Sequence, residues 1–262
     1  MANLKERLRI YIRLTRWEDY ITFLQFVFGF FLAKNFEVSS DDLVLLGKAL
    51  FVLAPLLYGG IYTVNNIKDA ELDKLNPKKK DRPIPAGEIS PNQASWVALI
   101  LIGSSLLLAP FVHENLLEMV LAFLLVNLFY TLWAKNVPYL SIATNSLTHV
   151  FRLLFGMNLA GNMDYAYLAG VLFAAAMGGT AFRYLKEISE GSRAARPVLR
   201  FYSSQALWRI FLGALGVLVL FVIFGRFWEK VLGAFFLVWQ AVGAFGYYRS
   251  KKIKKLVDFA GR

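Results

Sequence analysis

The sequence predicts an all-α membrane protein, a polytopic bundle of about eight transmembrane helices around a central cavity. Hydrophobic residues make up 57% of the 262 positions, and the mean hydropathy is +0.49. Charged residues make up 18%, whereas soluble domains contain about 25%. Several apolar stretches are close to the roughly 20 residues that a membrane-spanning helix needs. The net charge of +11 and the 16% aromatic content therefore exclude a disordered basic chain and do not indicate nucleic-acid binding.

The elements follow in order along one predicted transmembrane domain that covers residues 1–262. Residues 1–18 are basic and amphipathic, which predicts an interfacial helix that leads into the first span. A ninth span within 185–204 stays an alternative. The eight predicted spans are 20–36, 43–63, 95–112, 115–134, 138–160, 164–182, 205–225 and 228–247.

The basic residues divide unequally between the two sides of this predicted bundle. With eight spans, 24 of the 29 Lys and Arg residues lie on the side of the two termini and four lie on the other side. By the positive-inside rule that side is cytoplasmic. We therefore expect a multi-pass protein of the cell membrane, with the loops 64–94 and 183–204 and the basic tail 248–262 in the cytoplasm.

The first long loop contains a ladder of oxygen-bearing side chains. Asp69 and Asp73 lie four residues apart and share a helix face if the second span continues past the membrane surface, with Asn65 and Asn66 one turn earlier. Carboxylate and amide oxygens are ligands that Mg²⁺ prefers, usually together with substrate phosphates. Arg82 lies in the basic stretch that follows these residues. The prolines and the glycine directly after Arg82 favour a turn. The pattern predicts a site for Mg²⁺ and a diphosphate, although a solvated helix end would also explain the aspartate pair.

The second long loop carries a mixed-charge face. Arg183, Lys186, Glu187 and Glu190 lie on one side of a helix by their spacing. They could form intrahelical ion pairs, or the glutamates could hold a second Mg²⁺ while the two cations bind phosphate. Arg152 is a basic residue deep within a predicted span, where an ionisable group is costly and is usually functional. A substrate phosphate is the partner that we favour for it.

These motifs resemble those of the UbiA superfamily of intramembrane prenyltransferases. The first loop is similar to the pattern N-D-x-x-D-x-x-x-D, with Asn65, Asp69 and Asp73 in place and Asn66 where the family has its first Asp. The stretch from Tyr130 to Lys135 is similar to the superfamily's short Y-x-x-x-x-K segment. The second loop is similar to a branch that includes decaprenyl-phosphate phosphoribosyltransferase. That branch has Trp-x-Lys-Asn where this chain has Trp-Glu-Asp-Tyr at 17–20.

The resemblance implies a Mg²⁺-dependent transfer of an isoprenyl group from its diphosphate to a lipophilic acceptor, with release of pyrophosphate. Phosphoribosyl transfer from phosphoribosyl diphosphate to a polyprenyl phosphate is the alternative. The implied partners are an isoprenyl diphosphate or polyprenyl phosphate lipid and the bilayer itself. A transporter would also fit an intramembrane charge, but the acids gather at one surface rather than near the midplane. The implied site has metal ligands Asn65, Asn66, Asp69, Asp73, Glu187 and Glu190, catalytic residues Asp69, Asp73, Arg82 and Lys186, and substrate-binding residues Arg82, Tyr130, Lys135, Arg152, Arg183 and Lys186.

Overall fold

The computed structural model describes residues 4–190 and 196–249, and it confirms the all-α fold class. The first residues of the predicted interfacial helix, part of the 183–204 loop and nearly all of the basic tail lie outside the described residues. Within the described ranges the regular structure is helical throughout. The helices are α1 Leu4–Thr15, α2 Leu24–Ala33, α3 Ser40–Phe51, α4 Gly59–Lys74, α5 Pro91–Val112, α6 Leu116–Leu132, α7 Leu140–Leu159, α8 Ala169–Ser189, α9 Ser204–Phe224 and α10 Phe227–Arg249.

Six helical segments of the described chain are long and apolar enough to cross a membrane. They correspond to six of the eight predicted spans. The predicted span 20–36 contains α2, which has only 10 residues and follows a 3₁₀ segment, Trp17–Phe23. The predicted span 138–160 is α7, whose Asn, Thr, Ser and Arg side chains lower its hydropathy. That these two segments also cross the membrane stays a prediction. The six segments are Ser40–Lys74, Pro91–Val112, Leu116–Asn136, Ala166–Ser189, Ser204–Phe224 and Phe227–Tyr247.

The described residues divide into two compact units. The first unit contains residues 4–134, 151–165 and 196, and the second contains 135–150, 166–190 and 197–249. In the first unit α3 and α4 are joined by a π-helical segment, Val52–Tyr58, that contains Pro55. Proline cannot donate the helical hydrogen bond and its ring crowds the preceding turn, and π-helical turns are frequent at functional sites. The segment ends at Tyr58, a core residue of this unit.

Close helix contact in the first unit depends on glycine. A Cβ on Gly156 of α7 would lie 1.9 Å from the Phe26 carbonyl oxygen of α2, and one on Gly29 would lie 2.2 Å from the Leu153 carbonyl oxygen. The two backbones therefore approach more closely than any side chain permits. This packing fixes residues 151–159 of α7, which include Arg152, against α2.

The second unit is built on α8, α9 and α10. Buried Gln240 of α10 donates a hydrogen bond of 2.8 Å to the Ala175 carbonyl oxygen of α8. The Tyr202 hydroxyl accepts a hydrogen bond of 2.5 Å from the Tyr139 backbone N–H. Tyr139 has a positive φ of 62°, which is rare for an aromatic residue, so this contact holds the turn that precedes α7.

Candidate active site

The predicted oxygen ladder lies on α4, as the sequence spacing requires. The helix continues to Lys74, so Asn65, Asp69 and Asp73 fall at i, i+4 and i+8 along one face. Asn65 and Asp69 are partly exposed, whereas Asp73 is buried with 2% exposure. The face therefore carries two partly exposed oxygen-bearing side chains, which lie two turns and one turn before a buried carboxylate.

Two cations from the following loop hold the buried carboxylate of Asp73. Arg82 donates from one terminal nitrogen to Oδ2 at 2.6 Å, and Lys79 Nζ lies 3.6 Å from Oδ1. Burial lowers the pKa of the Arg82 guanidinium and nearby Arg16 lowers it further, whereas Asp73 and Asp69 raise it. Arg82 is therefore placed beside the carboxylates, where the sequence predicted a phosphate-binding cation.

A short turn follows Arg82. Gly87 has a φ of +76°, which glycine adopts without a steric cost. Hydrogen bonds from Ala86 N to Arg82 O at 2.9 Å and from Gly87 N to Ile84 O at 3.0 Å close the turn. The predicted turn is thus confirmed. Beneath it lies a small apolar cluster drawn from α1, α4, the loop and α5, which consists of Leu14, Ala70, Ile84, Ile89 and Ala94.

Asn66 connects α4 to the amphipathic helix α1. Its side-chain nitrogen donates a hydrogen bond of 2.8 Å to the Leu14 carbonyl oxygen, and its side-chain oxygen lies 3.5 Å from Arg82. Asn66 is 2% exposed. An aspartate could not donate the bond to Leu14, which accounts for an amide where the resemblance implies an acid. Its predicted role as a metal ligand stays a prediction.

A second polar cluster, which was not predicted from the sequence, lies at Tyr62, one helical turn before Asn66 on α4. Arg16 pairs with Asp19 at 2.5 Å, and its guanidinium lies over the Tyr62 ring at 4.3 Å. Burial raises the pKa of the Asp19 carboxyl, and Arg16 opposes this shift. Arg16 adopts a left-handed backbone conformation with a φ of 53°, which strained functional segments often show. The sequence signal that could have indicated this cluster is the acidic pair Glu18 and Asp19 close to Arg16.

Arg152 lies inside the first unit among aromatic rings. It is 2% exposed and donates a hydrogen bond of 2.5 Å to the Tyr58 hydroxyl. Its guanidinium carbon is 5.4, 4.8 and 5.3 Å from the ring centres of Phe23, Tyr58 and Phe123. These rings therefore already face a cation, which makes them poor stabilisers of a second one. The predicted phosphate contact of Arg152 stays a prediction.

The remaining predicted site residues lie on two further parts of the chain. Tyr130 lies on α6 in the first unit. In the second unit Lys135 lies in a 3₁₀ turn, Ala134–Asn136. On α8 and directly after it are Arg183, Lys186, Glu187 and Glu190.

The mixed-charge face of α8 contacts Tyr247 of α10. The Tyr247 hydroxyl donates a hydrogen bond of 3.3 Å to Glu190 and lies 3.1 Å from Ser189 Oγ. Lys186 Nζ lies 5.4 Å from its ring centre. The helical continuation of α8 through Ser189 confirms the shared face. Neither of the two predicted roles of that face, ion pairing or metal binding, is decided by these contacts.

The α4 face suits Mg²⁺ by its donor chemistry. Asn65 and Asp69 are partly exposed oxygen-bearing side chains, and Asp73 already has cationic partners on both of its oxygens. Within the described residues no three His, Cys, Asp or Glu side chains form a complete metal cage. A few protein oxygens completed by substrate phosphate and water are the arrangement that Mg²⁺ favours. The residues present therefore fit a Mg²⁺ that arrives with a diphosphate.

Comparison with known proteins decides the family. The family model described as the UbiA prenyltransferase family matches residues 22–258, which is most of the chain. The chain belongs to the UbiA prenyltransferase family. The resemblance read from the α4 motif is confirmed, and the protein is accordingly a multi-pass integral membrane protein.

Curated relatives of this UbiA family member include two kinds of transferase. Decaprenyl-phosphate phosphoribosyltransferase of Mycobacterium tuberculosis is 31% identical over 121 residues, which cover 45% of this chain and 40% of the relative. Protoheme IX farnesyltransferase 2 of Bacillus velezensis is 28% identical over 155 residues, 54% of this chain and 50% of the relative. The matched regions thus span half or less of these relatives' lengths.

Solved structures share the fold at low sequence identity. A UbiA homolog from Archaeoglobus fulgidus bound to DMAPP and Mg²⁺ superimposes with a TM-score of 0.74 at 18% identity, and 96% of each chain is covered. The same homolog bound to GPP and Mg²⁺ gives a TM-score of 0.70 at 19% identity, with 90% of this chain and 86% of that chain covered. These similarities establish the UbiA fold of the chain.

Proposed function

We propose that the protein is a Mg²⁺-dependent intramembrane prenyltransferase that moves an isoprenyl group from an isoprenyl diphosphate to a lipophilic acceptor and releases pyrophosphate. The observation that carries the proposal is the α4 face. Asn65 and Asp69 are partly exposed on this face, and Arg82 lies 2.6 Å from the carboxylate of Asp73, one turn after Asp69. Metal-binding oxygens next to a guanidinium are the groups that a diphosphate bound to Mg²⁺ requires.

The metal would be held by Asn65 and Asp69, with Asp73 behind them, and would supply Lewis-acid stabilisation of the departing diphosphate. Arg82 carries five N–H donors, so it can bind a phosphate oxygen while one nitrogen stays on Asp73. Lys79 adds a second positive charge on the same carboxylate. Together these cations would neutralise charge that develops on the leaving pyrophosphate, an electrostatic contribution that is often the largest in such reactions.

The lipid and topology assignments belong to the same proposal. Tyr130, Lys135 and Arg152 are proposed substrate-binding residues. On α8 and directly after it, Arg183 and Lys186 are proposed to bind phosphate, and Glu187 and Glu190 to bind a metal ion. The isoprenyl tail would lie in an apolar slot between helices that opens to the lipid bilayer. The basic loops and both termini would face the cytoplasm by the positive-inside rule.

Phosphoribosyl transfer is the second candidate function. It is favoured by the 31% identity to decaprenyl-phosphate phosphoribosyltransferase over 121 residues. The same α4 face would bind either donor, because both donors leave a diphosphate group. The chemistry of the donor beyond the diphosphate therefore has to be found by experiment.

The test is a donor competition with purified protein in lipid nanodiscs. Geranylgeranyl diphosphate and phosphoribosyl diphosphate are supplied separately with Mg²⁺ and a lipid extract, and pyrophosphate release is measured. Release from geranylgeranyl diphosphate alone supports prenyl transfer, and release from phosphoribosyl diphosphate alone supports the second candidate. We expect Asp69→Asn and Asp73→Asn to lower the rate at least about a hundredfold with either donor. Full turnover in both variants would overturn the assignment of the α4 face.

A further inference from the structure

Helix α1 has two apolar sides. Leu14 is fully buried in the small apolar cluster under the loop turn, and partly buried Ile10, one helical turn earlier, packs against that cluster. The other side carries Leu8, Tyr11 and Ile12, which are 58%, 43% and 42% exposed and share a helix face by their spacing. We call these three residues the outer side of α1. A helix on the surface of a bundle needs one apolar side for packing, so the outer side requires a second apolar environment.

The packed side of α1 places this helix at one boundary of the membrane. It lies in one cluster with Ala70, near the end of the segment Ser40–Lys74, and with Ala94, near the start of the segment Pro91–Val112. Both segments are long and apolar enough to cross a membrane. Because α1 packs against adjoining ends of two such segments, it lies at the level where they leave the bilayer.

Two exposed tryptophans lie close to the same boundary. Trp17 follows α1 by two residues and is 60% exposed, and Trp96 lies in the second turn of α5 and is 66% exposed. Tryptophan is enriched at membrane–water interfaces, because its ring is apolar and its N–H group is polar. The outer side of α1 therefore adjoins the interfacial region, which the apolar side of an amphipathic helix enters.

The charge of α1 selects the kind of membrane surface. The helix contains four basic residues and one acidic residue, Glu6. Lys5, Arg7 and Arg9 are exposed, and by helical spacing Lys5 and Arg9 lie at one edge of the outer side and Arg7 lies at the other. Cations that flank an apolar side can pair with lipid phosphates while the apolar residues enter the interface, and they attract anionic headgroups. An anionic phospholipid surface is therefore the partner that this helix fits.

The fourth cation of α1 connects the helix to the loop of the candidate active site. Arg13 donates to the two carboxylate oxygens of Glu88 at 2.8 and 2.7 Å, and it also donates to the backbone carbonyl oxygen of Asp81. Asp81 directly precedes Arg82, which donates to the carboxylate of Asp73 at 2.6 Å. A displacement of α1 would therefore disturb the loop on both sides of Arg82.

We propose that α1 is a docking helix for anionic phospholipid headgroups, and that its docking holds the loop 75–90, with Arg82, in place against α4. The outer side enters the interface, the three exposed cations bind lipid phosphate, and Arg13 transmits the position of the helix to the loop. The Asn66 amide, which donates to the Leu14 carbonyl oxygen at 2.8 Å, joins the same helix to α4. The consequence for turnover rests on the proposed function, whereas the docking itself does not.

The first experiment measures docking without any substrate. Amide hydrogen exchange of residues 5–15 is followed in the full chain, in nanodiscs of phosphatidylcholine alone and in nanodiscs that also contain about one third phosphatidylglycerol. We expect exchange to be at least about threefold slower in the anionic nanodiscs, and we expect high salt to remove this difference. The combined variant Lys5→Gln, Arg7→Gln and Arg9→Gln should exchange alike in both nanodiscs.

The charge-matched control removes three exposed cations that the sequence predicts on the opposite side of the membrane. It combines Lys48→Gln, Arg226→Gln and Lys230→Gln, and it should keep the wild-type difference in α1 exchange. Equal α1 exchange of the wild type in the two nanodiscs would overturn the proposal. A wild-type difference that persists in the α1 variant, or that disappears in the control, would overturn it as well, because the cations of α1 would then not be the groups that bind the lipid.

The second experiment tests the connection between α1 and the loop. Arg13→Ala keeps the outer side and the three exposed cations, so its α1 amides should still exchange more slowly in the anionic nanodiscs. The amides of residues 79–89 should be protected at least about threefold by anionic lipid in the wild type, but not in Arg13→Ala. A loop that responds equally to anionic lipid in both proteins would contradict the connection.

Turnover gives a separate measurement of the same connection. With a donor that the wild type uses, kcat should be at least about threefold higher in the anionic nanodiscs, and Arg13→Ala should show equal kcat in both. Repulsion between an anionic surface and a diphosphate substrate would raise KM instead, so kcat separates the two effects. Equal wild-type kcat in the two nanodiscs would contradict the effect on the site. If the wild type releases no pyrophosphate from any donor, the proposed function fails, and the exchange experiments still decide whether α1 docks.

Discussion

Replacing Asn66 with aspartate restores the acid that the UbiA pattern has at this position, and we expect the change to destabilise the protein. The Asn66 side-chain nitrogen donates to the Leu14 carbonyl oxygen at 2.8 Å in a site with 2% exposure. A carboxylate would place an oxygen against that carbonyl, so the hydrogen bond would be replaced by repulsion. Leaving such a buried acceptor unsatisfied costs about 1–3 kcal/mol. Arg82, at 3.5 Å from the Asn66 oxygen, would offset part of the cost.

Thermal unfolding of purified protein in nanodiscs measures this effect. A net loss of about 2 kcal/mol corresponds to a decrease in Tm of about 4–8 °C for a chain of this size. The matched control is Asn76→Asp, because the Asn76 side-chain oxygen accepts from the Lys78 backbone N–H at 3.0 Å and a carboxylate can accept equally. We expect the control to stay within about 2 °C of wild type. An Asn66→Asp variant as stable as wild type would refute the assigned donor role of the amide.

Two further substitutions test the packing that positions the site. Gly156→Ala should lower the unfolding free energy by about 2 kcal/mol or more, because its Cβ would meet the Phe26 carbonyl oxygen at 1.9 Å. Gly103→Ala, whose Cβ meets nothing within 4 Å, should be neutral or stabilising in the same melting assay. Arg13→Ala should speed limited proteolysis of the loop 75–90 several-fold, because Arg13 donates to both Glu88 oxygens at 2.7 and 2.8 Å; unchanged cleavage would show that this ion pair does not hold the loop.

Local patterns in the sequence were sufficient to predict the parts of the site that depend on helix periodicity and turn chemistry. The four-residue spacing of Asp69 and Asp73 placed them on one face, because α4 does continue to Lys74. Proline and glycine predicted the turn that follows Arg82. Both predictions concern residues that are close in sequence, where backbone geometry determines the neighbours.

The contacts that were not predicted join residues far apart in the chain. Arg16 and Tyr62 are far apart in sequence, and the placement of the Arg16 guanidinium over the Tyr62 ring requires the left-handed backbone at Arg16. The donor role of Asn66 is visible only once Leu14 is known to end a helix packed on α4. The aromatic surroundings of Arg152 likewise come from three separate helical segments. No local period encodes such pairings, since each depends on how helices pack.

The central claim, that the α4 face and Arg82 form a site for Mg²⁺ and a diphosphate, is tested most directly by calorimetric binding of inorganic pyrophosphate. We expect the wild type to bind pyrophosphate only when Mg²⁺ is present, and Asp69→Asn to weaken that binding at least about tenfold. The matched control is Glu71→Gln, which removes an exposed carboxylate of the same helix that pairs with Lys74 at 2.7 Å, and it should bind like the wild type. Equal binding with and without Mg²⁺, or equal losses in Asp69→Asn and Glu71→Gln, would contradict the account.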